Sequence, residues 1–65
     1  MASKQFKVGD KVTSTYTFQT GTVSDKYEVL GLTSSELLAW QLNFILIEWD
    51  TGSISGELKR FINRI

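Results

Sequence analysis

Asp50-Thr51-Gly52-Ser53 is the one run in this chain that spells a catalytic motif. It places a carboxylate directly after the apolar run Phe44-Ile-Leu-Ile-Glu-Trp49. Acid–base chemistry of this kind needs two aspartates sharing one proton at close range. The motif occurs once, so two chains would have to meet to complete it. A tight turn closing a hairpin explains the same letters, and Asp50 to Gly52 are read as that turn, with no catalytic residue assigned. Glu48 and Asp50, two apart on one strand face, have the chemistry to touch a hard cation. They lack supporting oxygens, and no metal is assigned. The chain has neither histidine nor cysteine. That removes the usual ligands of zinc and copper, the disulfide, and the general base that commonly works near neutral pH. No cofactor and no small-molecule substrate are expected, and the chain is read as non-enzymatic.

Binding chemistry is better supplied. Tyr16, Phe18, Tyr27, Trp40 and Trp49 are aromatics suited to a partly exposed surface. Exposed rings hold cations by cation–π attraction or line grooves for proline-rich segments. The same rings also serve to fill a small core. Candidate partner-binding residues are Trp40, Trp49, Tyr16, Tyr27 and Leu38. A second set is basic: Lys7, Lys11, Lys59, Arg60 and Arg64, with Lys4 beside them. These are the candidates for phosphate contacts, or for a solvated rim that keeps the protein soluble. Seven basic and seven acidic residues cancel overall. The charge is nevertheless uneven: both ends are basic, and the stretch 25–57 holds six acids against Lys26 alone.

The elements that position these residues are mostly strands. Val12-Thr-Ser-Thr-Tyr-Thr-Phe18 alternates, with Val12, Ser14, Tyr16 and Phe18 on one face. Gly21 opens a second run in which Val23, Asp25, Tyr27 and Val29 share a side. Residues 44–50 form the strongest strand, and 53–58 return antiparallel after the Asp50-Thr51-Gly52 turn. Phe61 to Ile65 is a short closing strand. The expected strands are therefore 7–18, 21–30, 44–50, 53–58 and 61–65. Between them, 33–42 has a capping-box pattern, Thr33 with Glu36, and a Leu38/Leu42 stripe one helical turn apart. The competing reading makes it the tip of a long hairpin, with Trp40, Leu42, Phe44 and Leu46 on one face. The run 44–49 departs from alternation. Ile45, Ile47 and Trp49 share one face, while Phe44 and Leu46 lie opposite. A strand apolar on both faces must be covered by the insert or by a partner.

The order Val8-Gly-Asp-Lys-Val12, Gly21-Thr-Val23, Ile45-Leu-Ile-Glu-Trp-Asp-Thr-Gly52 and a terminal Glu57-Leu-Lys-Arg-Phe-Ile-Asn-Arg-Ile65 resembles the SH3-like barrels of the Tudor and KOW type. Those open on G-D-x-V, start strand two with G-x-V, end an apolar strand in W-D-x-G, and place a short turn before the last strand. The resemblance spans the chain except 31–43. It implies a mainly β domain: a single SH3-like five-stranded antiparallel barrel over 1–65, with a short helical or hairpin insert at about 31–43. Two SH3-like relatives share the plan. In the plasmid-borne, trimethoprim-resistant dihydrofolate reductase the substrate motif V-Q-I-Y would fall on Ile54-Ser-Gly-Glu57. The Gln and Tyr are missing, so that activity is not carried over. The small SH3-like protein of photosystem I is similar in plan, without a linking motif. Asp50-Thr-Gly-Ser53 is similar to the motif of aspartic proteases, whose retroviral-type protomers are longer and carry a flap that has no counterpart here.

A chain of 65 residues has room for one domain, and buries only about 60% of its unfolded surface. Its 42% hydrophobic content is ordinary for a folded globule. No apolar run approaches the roughly 20 residues of a membrane helix, and Met1 to Gln5 lead into no signal-peptide core. A cytoplasmic protein without membrane contact is expected. The sequence points to a macromolecular interaction module that binds a protein partner or self-associates, of the kind found among phage, plasmid or bacterial accessory proteins. The alternative is a barrel that binds nucleic acid, weakly, through its basic terminal strands. A distant alternative is a small oligomeric enzyme.

Overall fold

A computed structural model describes residues 5–65 of the chain; Lys4 and the N-terminal residues before it lie outside that range. Five antiparallel strands form one sheet: β1 (Lys11–Ser14), β2 (Thr20–Val23), β3 (Phe44–Trp49), β4 (Ile54–Leu58) and β5 (Ile62–Arg64). Their order is β4-β3-β2-β1-β5. Strands β1 to β4 are thus sequential neighbours, and β5 returns to β1. The edge strands β4 and β5 do not pair, so the sheet is not closed. One helix, α1 (Ser34–Gln41), joins β2 to β3. Among the described residues no helix is long and apolar enough to cross a membrane.

The two long strands expected from alternation are each cut short by a serine. β1 ends at Ser14 rather than 18, because the Ser14 hydroxyl accepts from the N–H groups of Tyr16 (3.1 Å) and Thr17 (3.4 Å). Phe18 N–H then donates to the Ser14 carbonyl at 3.0 Å. A side chain that bonds its own downstream backbone competes with the sheet ladder. Tyr16 and Phe18 therefore leave the strand face shared by Val12 and Ser14. β2 ends at Val23 rather than 30 for the same reason: the Ser24 hydroxyl accepts from Lys26 N–H at 3.1 Å. The chain then makes a short 3-10 turn, Tyr27–Leu30. Both serines are buried. A second 3-10 turn, Lys59–Phe61, separates β4 from β5.

The insert is a helix, and its cap is the one written in the sequence. Thr33 accepts from Glu36 N–H at 3.3 Å, and Thr33 N–H donates to the Glu36 carboxylate at 2.9 Å. The Thr33 backbone, followed by its side chain, holds the Glu36 carboxyl below its ordinary value of 4.5. A depressed folded-state value means that the cap's contribution is complete above the ordinary value. It is lost as pH falls through the lowered one. The protection of the α1 amides, taken relative to intrinsic exchange at each pH, should therefore fall on acidification below the carboxylate range. In Glu36→Gln that acid-dependent change should be absent. Equal acid sensitivity in both proteins would show that the cap is not its source.

The inner face of the sheet carries the core: Val12, Val23, Ile45, Ile47, Trp49 and Ile62, with Phe6 packed against it. The outer face of β3 is covered as well. Leu46 is only 1% exposed, yet stands apart from that cluster. Its cross-strand partner is Gly56. A Cβ at Gly56 would lie 2.4 Å from the Trp40 ring, so the indole rests directly on this glycine. Trp40 also stacks on Phe44, with centroids 5.5 Å apart and planes at 14°. The helix thus closes the outer face through Trp40, with Leu37 and Gln41 half-buried beside it. The Leu38/Leu42 stripe expected to do so faces solvent, at 69% and 76% exposed. An indole offers more apolar area than a leucine, and its seat on Gly56 sets the rotation of the helix.

Candidate functional site

The aromatic candidates separate into two clefts. Tyr16 and Trp49 meet in the larger, a cavity of about 320 Å³ lined also by Ser14, Thr17, Gln19, Thr51, Ser53, Ser55 and Glu57. It opens between the β1–β2 loop and the β3–β4 hairpin. Trp40 and Tyr27 meet in a smaller cleft of about 100 Å³ with Phe6, Val8, Phe44 and Lys59. Leu38 belongs to neither.

Trp49 is 7% exposed, so it is a core residue with one edge at the larger cleft. That edge starts a polar relay. The indole Nε1–H donates to Ser55 Oγ at 2.8 Å, and the Ser55 hydroxyl donates to Glu57 Oε2 at 2.9 Å. Register explains why these side chains meet: Ser55 lies opposite Ile47 and Glu57 opposite Ile45, both on the inner face. On the opposite wall, the Tyr16 ring sits 4.6 Å from that of Phe61. Thr15 and Phe61 hold the loop to the start of β5, since both the N–H and the hydroxyl of Thr15 donate to the Phe61 carbonyl. Phe18, between Thr17 and Gln19 of this lining but not part of it, has φ 59 and is 80% exposed. The cleft therefore combines two aromatic surfaces, a carboxylate and several hydroxyls. Such a lining suits a ligand carrying a cationic or amide group on an apolar stem.

Ser55, Glu57 and Phe61 carry no signal of their own as site residues. Ser53, Ser55 and Glu57 do alternate with Ile54, Gly56 and Leu58 in the sequence, which marks a polar face on β4. Only the register with β3 shows that this face turns inward.

The Asp50-Thr51-Gly52 segment is the β3–β4 turn, with Gly52 at φ 95 and its N–H bonded to the Trp49 carbonyl at 2.8 Å. Thr20 Oγ donates to the Asp50 carboxylate from the neighbouring strand. Glu48 pairs with Lys26 at 3.5 Å. Among the described residues no three Asp or Glu side chains gather as a metal site would require.

The basic candidates are spread over three places. Lys7 and Lys11 flank Asp10, whose carboxylate accepts from Lys7 N–H at 2.9 Å and from Arg64 Nε at 3.2 Å. The Arg64 guanidinium also covers the Phe6 ring at 5.4 Å. Arg60 lies over Phe61 at 5.2 Å, at the other end of the β1–β5 pair. The β1–β5 pairing runs from Val12 opposite Arg64 to Ser14 opposite Ile62, and Arg60 lies beyond its far end, in the 3-10 turn. Lys59 lines the smaller cleft.

No family model, curated protein or solved structure matches the chain.

Proposed function

We propose that the chain is a non-enzymatic interaction module of the SH3-like barrel class, which binds a segment of a protein partner in the cleft between the β1–β2 loop and the β3–β4 hairpin. The strand order β4-β3-β2-β1-β5 and the 3-10 turn before β5 support the class, because the Tudor and KOW layout also places a short turn before its last strand. The observation that carries the binding reading is Phe18. A bulky residue at positive φ costs about 1–2 kcal/mol, and this one gains no burial in return. Backbone strain of this kind collects at functional sites. Here it presents an aromatic ring on the loop that forms the Tyr16 wall.

The test separates stability from binding. Phe18→Gly relieves the left-handed backbone and should be neutral to about 1 kcal/mol stabilising in urea unfolding. Peptides selected from a displayed random library on the wild-type protein should lose at least about tenfold in affinity for Phe18→Gly and for Tyr16→Ala, a change of about 1.4 kcal/mol. Their amide shifts should map to Tyr16, Trp49, Ser55 and Glu57. Selected peptides that bind Phe18→Gly as tightly as wild type would overturn the reading.

A further inference from the structure

We propose that the outer edge of β4 pairs antiparallel with the same edge of a second copy of this chain, about a two-fold axis at Gly56. The hydrogen-bond phase of the β3–β4 ladder is the starting point. Trp49 N–H donates to the Ser53 carbonyl at 2.7 Å, and Lys59 N–H donates to the Asn43 carbonyl at 2.9 Å. These two bonds bracket β4. Antiparallel ladders alternate between bonded and non-bonded pairs, so Ser55 and Glu57 turn their backbone groups toward β3. Ile54, Gly56 and Leu58 turn theirs away. β4 is an edge strand, and no strand among the described residues meets that side.

Natural edges are blunted by lysine, proline or a bulge. Between Ile54 and Leu58 there is no lysine or proline, and the register with β3 runs one to one without a bulge; the one charge on the strand, Glu57, points to the inner face, where it accepts from the Ser55 hydroxyl. The strand is also complementary to itself. In the symmetric register Gly56 meets Gly56 of the second copy, and Ile54 meets Leu58. All three outward-facing residues then find outward-facing partners, which makes about six backbone hydrogen bonds at two per bonded pair. A two-fold contact requires this reciprocity. On the outer face, Ile54 and Leu58 join apolar side chains across the axis, beside the Trp40 indoles seated on Gly56. On the inner face each Glu57 lies opposite Ser55 of the other copy, so the two carboxylates are not apposed. The pairing goes beyond peptide capture and sets the two Tyr16–Trp49 clefts on one joined sheet.

Backbone hydrogen exchange followed across a concentration series tests this on the unaltered protein. The amides of Ile54, Gly56 and Leu58 should slow by at least about tenfold as the mass measured by sedimentation rises from 7.4 kDa toward twice that value. The Ser55 and Glu57 amides, already in the ladder, should not respond. Leu58→Pro provides the second arm. Leu58 has φ −65, the angle proline imposes, and its N–H faces the free edge, where proline is tolerated. The variant should stay folded and remain monomeric where the wild type is dimeric. A chain that is monomeric at millimolar concentration would overturn the proposal. A dimer in which the Gly56 amide exchanges at the same rate at every concentration would do so too, because its contact lies elsewhere. Peptide capture at the cleft is read separately, through Phe18→Gly and Tyr16→Ala.

Discussion

Trp49→Ala should remove about a third or more of the chain's stability and lower its urea midpoint sharply. Removing a buried tryptophan costs about 3–5 kcal/mol through lost transfer energy and the cavity left behind. At about 0.05–0.15 kcal/mol per residue, a domain of this size has only roughly 3–10 kcal/mol in total. Trp49 is the largest side chain of the inner cluster, and it lies opposite Gly21, so its loss opens the core between β2 and β3. Trp49→Phe is the informative companion. It keeps an aromatic ring but removes the Nε1–H that donates to Ser55. Ser55 keeps its own bond to Glu57, so that variant should cost only about 1–2 kcal/mol beyond the change in volume. Urea unfolding followed by far-ultraviolet circular dichroism checks both. A Trp49→Ala protein with a wild-type midpoint would mean that this residue is not in the core.

Gly21→Val should be comparably damaging, for the opposite physical reason. A Cβ at Gly21 would lie 2.7 Å from Ile47 Cγ2, 2.9 Å from the Glu48 carbonyl oxygen and 3.0 Å from Trp49 Cε3. The carbonyl cannot retreat without disturbing the β2–β3 ladder, and Ile47 is fully buried. Overpacking typically costs about 1–3 kcal/mol and occasionally more. Valine adds two methyl groups beyond the Cβ that already collides. Gly21→Ala should fall between valine and wild type in urea midpoint. A valine variant as stable as wild type would show that β2 and β3 leave room for a side chain between them.

Three features of the fold could be read directly from neighbouring residues. The Thr33/Glu36 cap was visible because both partners lie within one helical turn, although the sequence also allowed a hairpin tip there and the structure decides for α1. The Asp50-Thr51-Gly52 turn announces the β3–β4 hairpin because its geometry depends on those letters. The doubly apolar run 44–49 announces a central strand that needs cover on both sides. Strand ends were less legible. Thr13, Thr15 and Thr17 alternate as if β1 continued, and nothing in that pattern says that the Ser14 hydroxyl will capture the next N–H groups. Ser24 does the same to β2. A serine in a strand pattern is compatible with both outcomes, since the competing bonds differ by little energy.

The candidate site divides along the same line. Tyr16 and Trp49 were legible as aromatics worth weighing, because residue type alone marks them. Their meeting in one cleft, with Ser55 and Glu57, follows from the β3–β4 register and from the bend after Ser14. The basic residues at both ends of the chain were equally visible. Their separation into three places was not, because it depends on which end of the β1–β5 pair each one reaches.

Local sequence by itself determined the mainly β character, the hairpin turn and the demand for cover on both faces of β3, and it offered the helix cap at Thr33 without deciding it against the hairpin. Each of these rests on interactions spanning a few residues, or on a simple count of apolar side chains. Tertiary structure alone decided what meets that demand. Leu38 and Leu42 offered the regular stripe, but Trp40 took the outer face because Gly56, sixteen positions further along the chain, leaves room for an indole, whose ring atoms lie nearest to it. The choice depends on the pairing of Leu46 with Gly56 across two strands. Close packing rewards whichever side chain best fills the space that such a pairing creates, and that space exists only once the sheet has formed.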